Sequence, residues 1–324
     1  MLNFALLFLA LFLLWFGAEM ITKAAIKIAK ALALSEGFVG LTILAIGTGF
    51  PEIIISVTGA IQNLQGANNS EIIIGNIIGS CMSNLALILG LSGLLRIIRL
   101  RKNAVFFDAV ILILSTSVFY LTARDSFISR EDGLVFVLFY VVYLIFLNRR
   151  NLKDQLKKVK HKAKRKFNRV TKRKKLKLIF FIQLLFGLFI LAKSSEMVLN
   201  YGSIIAEQVG VNEMLVGILL IGLGSSLPEL AVSINAASKG SISLSLNNLI
   251  GSNILDIFLA LGVSSSIHGW EVSRSVVQFD LPYLLFTTIV AVLFLFSRSK
   301  LQRNESLLMI SLYLIYVILK AMGF

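Results

Sequence analysis

Long apolar runs limit the fold of this chain more than any other feature of its sequence. Each of ten such runs is at least 18 residues long. A membrane-spanning helix needs about 20 apolar residues, whereas a strand of a membrane barrel needs only about 10 alternating ones. We therefore predict an all-α integral membrane protein with ten transmembrane helices. The runs cover residues 2–22, 38–62, 68–95, 104–123, 131–148, 178–199, 213–238, 243–268, 276–297 and 305–322.

The composition excludes other broad classes of protein. Hydrophobic residues make up 57% of the chain and charged residues 15%, whereas soluble domains carry about 25% charged residues. This balance excludes a water-soluble enzyme and a disordered chain. The sequence has one cysteine, Cys81, and no phosphate-binding loop, nucleophile elbow or zinc-binding signature. We therefore expect no intramolecular disulfide, no cofactor and no enzymatic activity.

Most of the excess positive charge lies between residues 149 and 177. This segment holds 16 Lys or Arg residues and one acid, Asp154, which together account for the net charge of +15. Basic loops stay in the cytoplasm, so we expect a cytoplasmic loop here, with 27 Lys or Arg residues on its side of the membrane and 5 on the other. Both termini then lie outside, in what we expect to be the cell membrane. The loop is expected to contact anionic lipid and not nucleic acid, because Phe167 is its only aromatic residue.

The sequence before this loop is repeated after it. A shift of 177 residues, which becomes 172 past the segment Asn63–Ser70, superposes the first half on the second. Each half holds five runs, and this odd number means that the second half enters the membrane from the opposite side. We therefore predict two inverted five-helix repeats, residues 1–148 and 178–324, an arrangement typical of transporters. Matched pairs include Glu19 with Glu196, Thr48 with Ser225, Pro51 with Pro228, Glu52 with Glu229, Asn76 with Asn248, Ser80 with Ser252 and Asp108 with Asp280.

Two of the repeated acids lie in the middle of apolar runs. Glu52 and Glu229 each follow a proline, in the segments Gly-Thr-Gly-Phe-Pro-Glu and Gly-Ser-Ser-Leu-Pro-Glu. A carboxylate at membrane depth costs at least about 2.5 kcal/mol unless it is paired or hydrated. These runs hold no Lys, Arg or His at that depth. The simplest counter-charge is a transported cation, although two protonated acids would also satisfy the pattern.

The residues near the two acids carry further oxygen atoms. Thr48 and Ser225 lie four residues before the acids, on the same helical face. Asn76 and Asn248 lie in the next repeated segment and are interpreted either as ligands or as interhelical hydrogen-bond partners. Carboxylate, hydroxyl and amide oxygens favour hard cations such as Ca²⁺ and Na⁺. Asp256 is a secondary candidate for a buried hydrogen bond.

At these residues the chain resembles the sodium/calcium exchanger family of the calcium/cation antiporter superfamily. The repeated blocks 40–92 and 217–264 are similar to the paired alpha repeats of that family. The resemblance implies two inverted repeats around a central site at which Ca²⁺ and Na⁺ compete. It also implies that the first and sixth helices slide across the other eight. The site residues that it implies are Glu52, Glu229, Thr48, Ser225, Asn76 and Asn248, with Ser226 at a sodium site.

The coupling ion remains open at this stage. Gly49 stands where a serine is usual in sodium-coupled members, opposite Ser226, and the pair Ser83-Asn84 resembles the proton/calcium branch. The favoured prediction is an antiporter that exchanges Ca²⁺ for Na⁺ by alternating access. An antiporter of H⁺ and Ca²⁺, or of another divalent cation, is the alternative on the same fold, and a cation channel is the alternative from another class.

Overall fold

The structure, a computed structural model, is almost entirely helical. It describes residues 2–32, 34–66, 70–95, 98–99, 102–162, 173–208, 224–297 and 300–323. The helices are, in chain order, α1 Leu2–Leu32, α2 Glu36–Thr48, α3 Phe50–Leu64, α4 Ser70–Leu95, α5 Lys102–Thr122, α6 Arg130–Lys162, α7 Arg173–Gln208, α8 Leu227–Ser238, α9 Ile242–Ile267, α10 Val276–Phe296 and α11 Arg303–Ala321.

Most of the predicted apolar runs form helices of spanning length. In the described ranges, seven helices are long and apolar enough to cross a membrane, and α2 with α3 forms an eighth candidate span that bends by 45°. The run predicted at 178–199 lies within α7, where a shorter apolar helix covers Leu178–Ser194. The run predicted at 213–238 lies partly outside the described residues, and its last part forms α8.

Several helices are longer than the apolar runs that predict them. Helix α1 continues ten residues past the predicted end at residue 22, because Ala, Lys, Ile and Leu are good helix formers and no Gly or Pro interrupts them. Helices α6 and α7 likewise continue into the basic segment, so its residues 149–162 and 173–177 are helical.

The buried apolar side chains form two separate clusters. The larger one is built mainly from α4, α5, α6, α9, α10 and α11. The smaller one joins α1 and α7 to α2 and α8. Helices α1 and α7 approach closely at Gly17 and Gly187, where an added Cβ would meet Leu191 and Ile21 of the facing helix. The α1–α7 pair is thus packed as a unit beside the larger cluster.

Short strands join the helix connections at the two ends of the bundle. The strand Ile98–Arg99 pairs antiparallel with Lys300–Leu301, and Phe127–Ile128 pairs antiparallel with Trp270–Glu271. The first pair joins the α4–α5 connection to the α10–α11 connection, and the second joins α5–α6 to α9–α10, so each pair joins connections that are not equivalent in the repeat. Segments that the charge count assigns to one side of the membrane therefore meet each other.

Equivalent ion pairs fasten α5 to α6 and α10 to α11. Asp108 binds Arg150 at 3.1 Å, and Asp280 binds Lys320 at 2.9 Å. A tyrosine hydroxyl donates to each acid, from Tyr143 at 3.5 Å and from Tyr316 at 2.8 Å. These pairs explain why the repeated aspartates stand at the beginning of otherwise apolar helices.

Candidate ion-binding site

A break between α2 and α3 positions Glu52. The two helices meet at Gly49, and Pro51 lies in the first turn of α3. Because proline has no N–H to donate, it is tolerated in a first turn and disfavoured inside a helix. Glu52 therefore also lies in the first turn of α3, where the positive end of the helix dipole favours a carboxylate.

The second half repeats this arrangement at the beginning of α8. Ser226 is the residue before that helix, Pro228 lies in its first turn, and Glu229 follows in the same turn. The sequence analysis predicts both acids in the middle of a span. Glu52 lies within the bent candidate span that α2 and α3 form, and each acid is also in the first turn of a helix, because the Pro-Glu pair starts a new helical segment. Helix ends inside a bundle are typical of the binding sites of transporters.

Both carboxyl groups are buried with few partners. The exposed fraction is 0% for Glu52 and 1% for Glu229. Within the described ranges, neither oxygen of Glu52 has a hydrogen-bond partner, whereas Oε1 of Glu229 accepts a bond from Ser252 at 3.3 Å and Oε2 has none. Among the described residues, the ion pairs do not include either acid. A buried acid without a partner is costly, so these oxygens are suited to bind a cation.

The hydroxyl groups near the acids cross between the two halves. The Ser225 hydroxyl lies beside the carboxyl group of Glu52, and the Thr48 hydroxyl lies beside that of Glu229. Thr48 donates its proton to the carbonyl of Leu44 at 3.0 Å, which leaves its oxygen lone pairs for a cation. The sequence analysis places each hydroxyl on the face of the acid in its own half. In the structure each one also lies next to the acid of the other half.

Asp256 is a third buried carboxyl group at this position. Its exposed fraction is 1%, and it is close enough to Glu52 and Glu229 for the charges to interact. Its Oδ2 accepts a hydrogen bond from Ser80 at 2.9 Å, and Ser226 in turn donates to Ser80 at 3.2 Å. Asp256 begins a π-helical segment of α9, a feature that is frequent at functional sites.

The predicted asparagines have different surroundings from the carboxyl groups. Asn248 donates to Ser233 of α8 at 3.2 Å, which agrees with the alternative of an interhelical hydrogen bond. The amide nitrogen of Asn76 is buried and has no partner in the described part of the chain. One turn beyond Asn248 is Ser252, which contacts Glu229 directly. The site therefore includes residues one and two turns further along than the asparagines.

The sequence contains a pattern that identifies these further residues. Asn76, Ser80 and Asn84 are spaced by four, as are Asn248, Ser252 and Asp256, so each set lies on one helix face. In the described residues the carboxyl groups do not form a cluster of three with metal-ligand geometry. Hydroxyl oxygens of Thr48, Ser225 and Ser252 lie beside the carboxyl groups of the two glutamates.

Comparison with known proteins identifies the family. The sequence profile described as sodium/calcium exchanger protein matches residues 2–148 and 179–322. This chain belongs to the sodium/calcium exchanger family. The two matched blocks leave out the whole basic segment 149–177 and cover nearly all of both halves of the chain.

Relatives of this exchanger align along nearly its whole length. It is 29% identical to the sodium/calcium exchanger MaX1 of Methanosarcina acetivorans, over 98% of this chain and 97% of that protein. It is also 29% identical to the putative antiporter CaxA of Alkalimonas amylolytica, over 90% of this chain and 89% of that protein. A solved structure of the sodium-calcium exchanger NCX_Mj superposes with a TM-score of 0.81 and 27% identity, covering 98% of each chain. The family is one of membrane transporters.

Proposed function

We propose that this protein is a secondary active antiporter that exchanges Ca²⁺ for Na⁺ by alternating access. The observation that carries the proposal is the pair Glu52 and Glu229, which are buried, interact with each other and have no basic partner among the described residues. Such a pair is stable only with cations or protons between the acids. The family relationship supports Ca²⁺ and Na⁺ as those cations.

The proposed ligands are oxygen atoms from both halves. Glu52 and Glu229 supply the carboxylates that Ca²⁺ prefers, and neutral hydroxyls and amides suit Na⁺. The structure adds Asp256, Ser80 and Ser252 as candidates. The predicted ligands are retained as part of this proposal, namely Thr48, Ser225, Ser226, Asn76 and Asn248.

The proposed architecture is two inverted five-helix repeats. A contact between Thr116 and Thr288, whose hydroxyl oxygens are 3.5 Å apart, supports it. These residues are equivalent at the shift of 172, and a residue that touches its own equivalent lies on the axis that relates the two halves. The separate packing of α1 and α7 supports the sliding of these two helices across the others.

The charge of the site constrains the exchange ratio. Glu52, Glu229 and Asp256 together carry up to three negative charges. Three Na⁺ ions neutralise them fully, whereas one Ca²⁺ leaves one charge for a proton. We therefore propose that three Na⁺ ions replace one Ca²⁺ while the proton stays on the protein, so that each cycle moves one net charge; a proton that travelled with Ca²⁺ would make the exchange electroneutral. Protons as the coupling ion remain the second candidate, because three buried acids without a base also bind protons.

Uptake of ⁴⁵Ca²⁺ into liposomes that contain the purified protein tests this proposal. We expect uptake when the liposomes are loaded with Na⁺ and diluted into Na⁺-free medium, and little uptake without a Na⁺ gradient. Uptake driven only by an outward H⁺ gradient would favour the proton antiporter instead. Uptake that continues without any counter-ion would indicate a channel.

We also propose that the protein lies in the cell membrane with both termini outside and residues 149–177 in the cytoplasm, where the basic residues contact anionic lipid. The count of basic residues supports this orientation, and the strand pairing agrees with the grouping of these connections on common sides. Cys81 is the only cysteine and is buried, so a Cys81→Ser variant gives a background for single introduced cysteines. A cysteine at Ser126 should react with an impermeant maleimide added outside, and one at Lys300 should not.

A further inference from the structure

One position near the acids differs between the two halves. Gly49 follows Thr48, and its equivalent Ser226 follows Ser225. The backbone does not explain the glycine, because φ and ψ are −83° and 7° at Gly49 and −88° and 5° at Ser226. The same conformation therefore carries a hydroxyl in one half and no side chain in the other.

Ser226 contributes its hydroxyl to the environment of Asp256. The serine is fully buried and donates to Ser80 at 3.2 Å. Ser80 donates to Oδ2 of Asp256 at 2.9 Å. One oxygen of Asp256 is thus held by a chain of two hydroxyl groups.

The other oxygen of Asp256 lies next to Gly49. A Cβ added at Gly49 would be 3.8 Å from Oδ1 of Asp256, so a serine hydroxyl one bond further out could reach it. This oxygen is buried and has no hydrogen-bond partner in the part of the chain that the structure describes. The glycine therefore withholds a donor from a buried carboxylate.

We infer that Gly49 is a specificity-determining residue that leaves Oδ1 of Asp256 to the transported cation and weakens Na⁺ binding relative to Ca²⁺. A carboxylate without a hydroxyl donor keeps its full charge, and a divalent ion gains more than a monovalent ion from each charge. The missing hydroxyl is also a neutral oxygen of the kind that suits Na⁺. This inference rests on the proposed exchange of Ca²⁺ and Na⁺ at the site.

The variants Gly49→Ser and Gly49→Ala separate the hydroxyl from the added volume. In both, the Cβ would lie 3.0 Å from the Ala45 carbonyl oxygen and from Cδ2 of Leu255, so the Leu255 side chain has to shift slightly. The measurement is the Na⁺ concentration that halves ⁴⁵Ca²⁺ uptake into liposomes with equal Na⁺ on both sides and an inward Ca²⁺ gradient. We expect this concentration to be about tenfold lower for Gly49→Ser than for Gly49→Ala.

The reciprocal variant Ser226→Ala provides a second arm if the substitutions at Gly49 prevent folding. It should raise the half-inhibiting Na⁺ concentration severalfold over that of the unmodified protein. The inference would be overturned if the half-inhibiting Na⁺ concentration were equal for Gly49→Ser and Gly49→Ala. If only Ser226→Ala folds, an unchanged half-inhibiting Na⁺ concentration in that variant would overturn it. Failure of the unmodified protein to take up Ca²⁺ would instead overturn the proposed function, so the two failures are distinguishable.

Discussion

The two halves of the chain bring equivalent residues to the site but connect them differently. In the second half, Ser252 donates to the carboxyl group of Glu229 at 3.3 Å. The equivalent Ser80 donates to Asp256 instead, and in the part of the chain that the structure describes neither oxygen of Glu52 has a hydrogen bond. Glu52 is therefore the acid with fewer hydrogen-bond partners among these residues.

The asparagines show the same difference. Asn248 of α9 donates a hydrogen bond to Ser233 of α8, whereas the equivalent atoms of Asn76 and Ser56 are both buried and have no partner among the residues with described structure. Helix α8 is thus hydrogen-bonded to α9 at this position, whereas the equivalent bond between α3 and α4 is not formed among the described residues. An alternating-access protein requires its two halves to differ at any moment and to exchange their arrangements. We interpret the unequal bonding as the difference between the halves in one such state.

The largest effect is expected from removing the charge of either glutamate. Glu52→Gln and Glu229→Gln keep the shape of the side chain and remove one ligand charge from a buried site. We expect each to lower Na⁺-driven ⁴⁵Ca²⁺ uptake by at least about 100-fold. The loss should be greater for Glu52→Gln, because Glu229 retains the hydroxyl of Ser252.

Glu196→Gln is the matched control for this comparison, because Glu196 is also an acid of the repeat but its side chain is 62% exposed. It should transport normally. Equal and small effects of all three substitutions would contradict the assignment of the site.

Asp256→Asn should have the next largest effect and makes the second half resemble the first, which has Asn84 at this position. The amide oxygen can still accept the bond from Ser80, so the main change is the loss of one negative charge. We expect about a tenfold loss of Ca²⁺ affinity and a lower ratio of charge moved to Ca²⁺ transported. Simultaneous measurement of membrane current and ⁴⁵Ca²⁺ flux checks this, and an unchanged ratio would exclude Asp256 from the site.

The sequence predicts the helices and the two glutamates because both produce strong local signals. An apolar run long enough to span a membrane can be recognised in the sequence without any knowledge of tertiary contacts. A repeated acid in the middle of such a run is also easily recognised. The sequence does not predict which hydroxyl lies beside which acid. The approach of Thr48 to Glu229 depends on how the two halves pack, and no spacing within one half encodes it.

Asp256 shows a different limit of the sequence analysis. Its equivalent is Asn84, so the repeat does not mark it as a matched acid. Only its position two turns after Asn248, on the face that includes Ser252, connects it to the site. The apolar runs also do not predict where α1, α6 and α7 begin or end, because helix formers such as Lys and Ala continue a helix after the apolar pattern ends.

A smaller effect is expected from an ion pair between α1 and the end of α8. Glu19 binds Lys239 at 3.2 Å and Lys23 at 2.6 Å, whereas the equivalent Glu196 binds Lys193 of its own helix at 2.9 Å. The ion pair between Glu19 and Lys239 therefore links α1, which we propose slides, to the end of α8, the helix with Glu229 in its first turn. Exposed pairs contribute at most about 1 kcal/mol, so Glu19→Gln should shift the equilibrium between inward and outward access by up to about fivefold.

The labelling rate of a cysteine introduced at Ser238, one residue before Lys239, reports this shift in a Cys81→Ser background. Glu19→Gln should raise the rate, and Glu196→Gln should leave it unchanged. Identical rates for the two variants would mean that the ion pair does not hold the helices together.

The smallest effect tests the unequal hydrogen bonds of the asparagines. Ser233→Ala removes the partner of Asn248, whereas Ser56→Ala removes a hydroxyl that has no partner. Interhelical hydrogen bonds in membrane proteins contribute about 0.6 kcal/mol on average, so Ser233→Ala should lower the melting temperature by about 1–2 °C. Ser56→Ala should leave it unchanged or raise it slightly, because a buried unpaired hydroxyl is removed. Equal shifts of the melting temperature in the two variants would mean that the two halves have equivalent hydrogen bonds in solution. The unequal hydrogen bonds seen in the structure would then not distinguish two states of access.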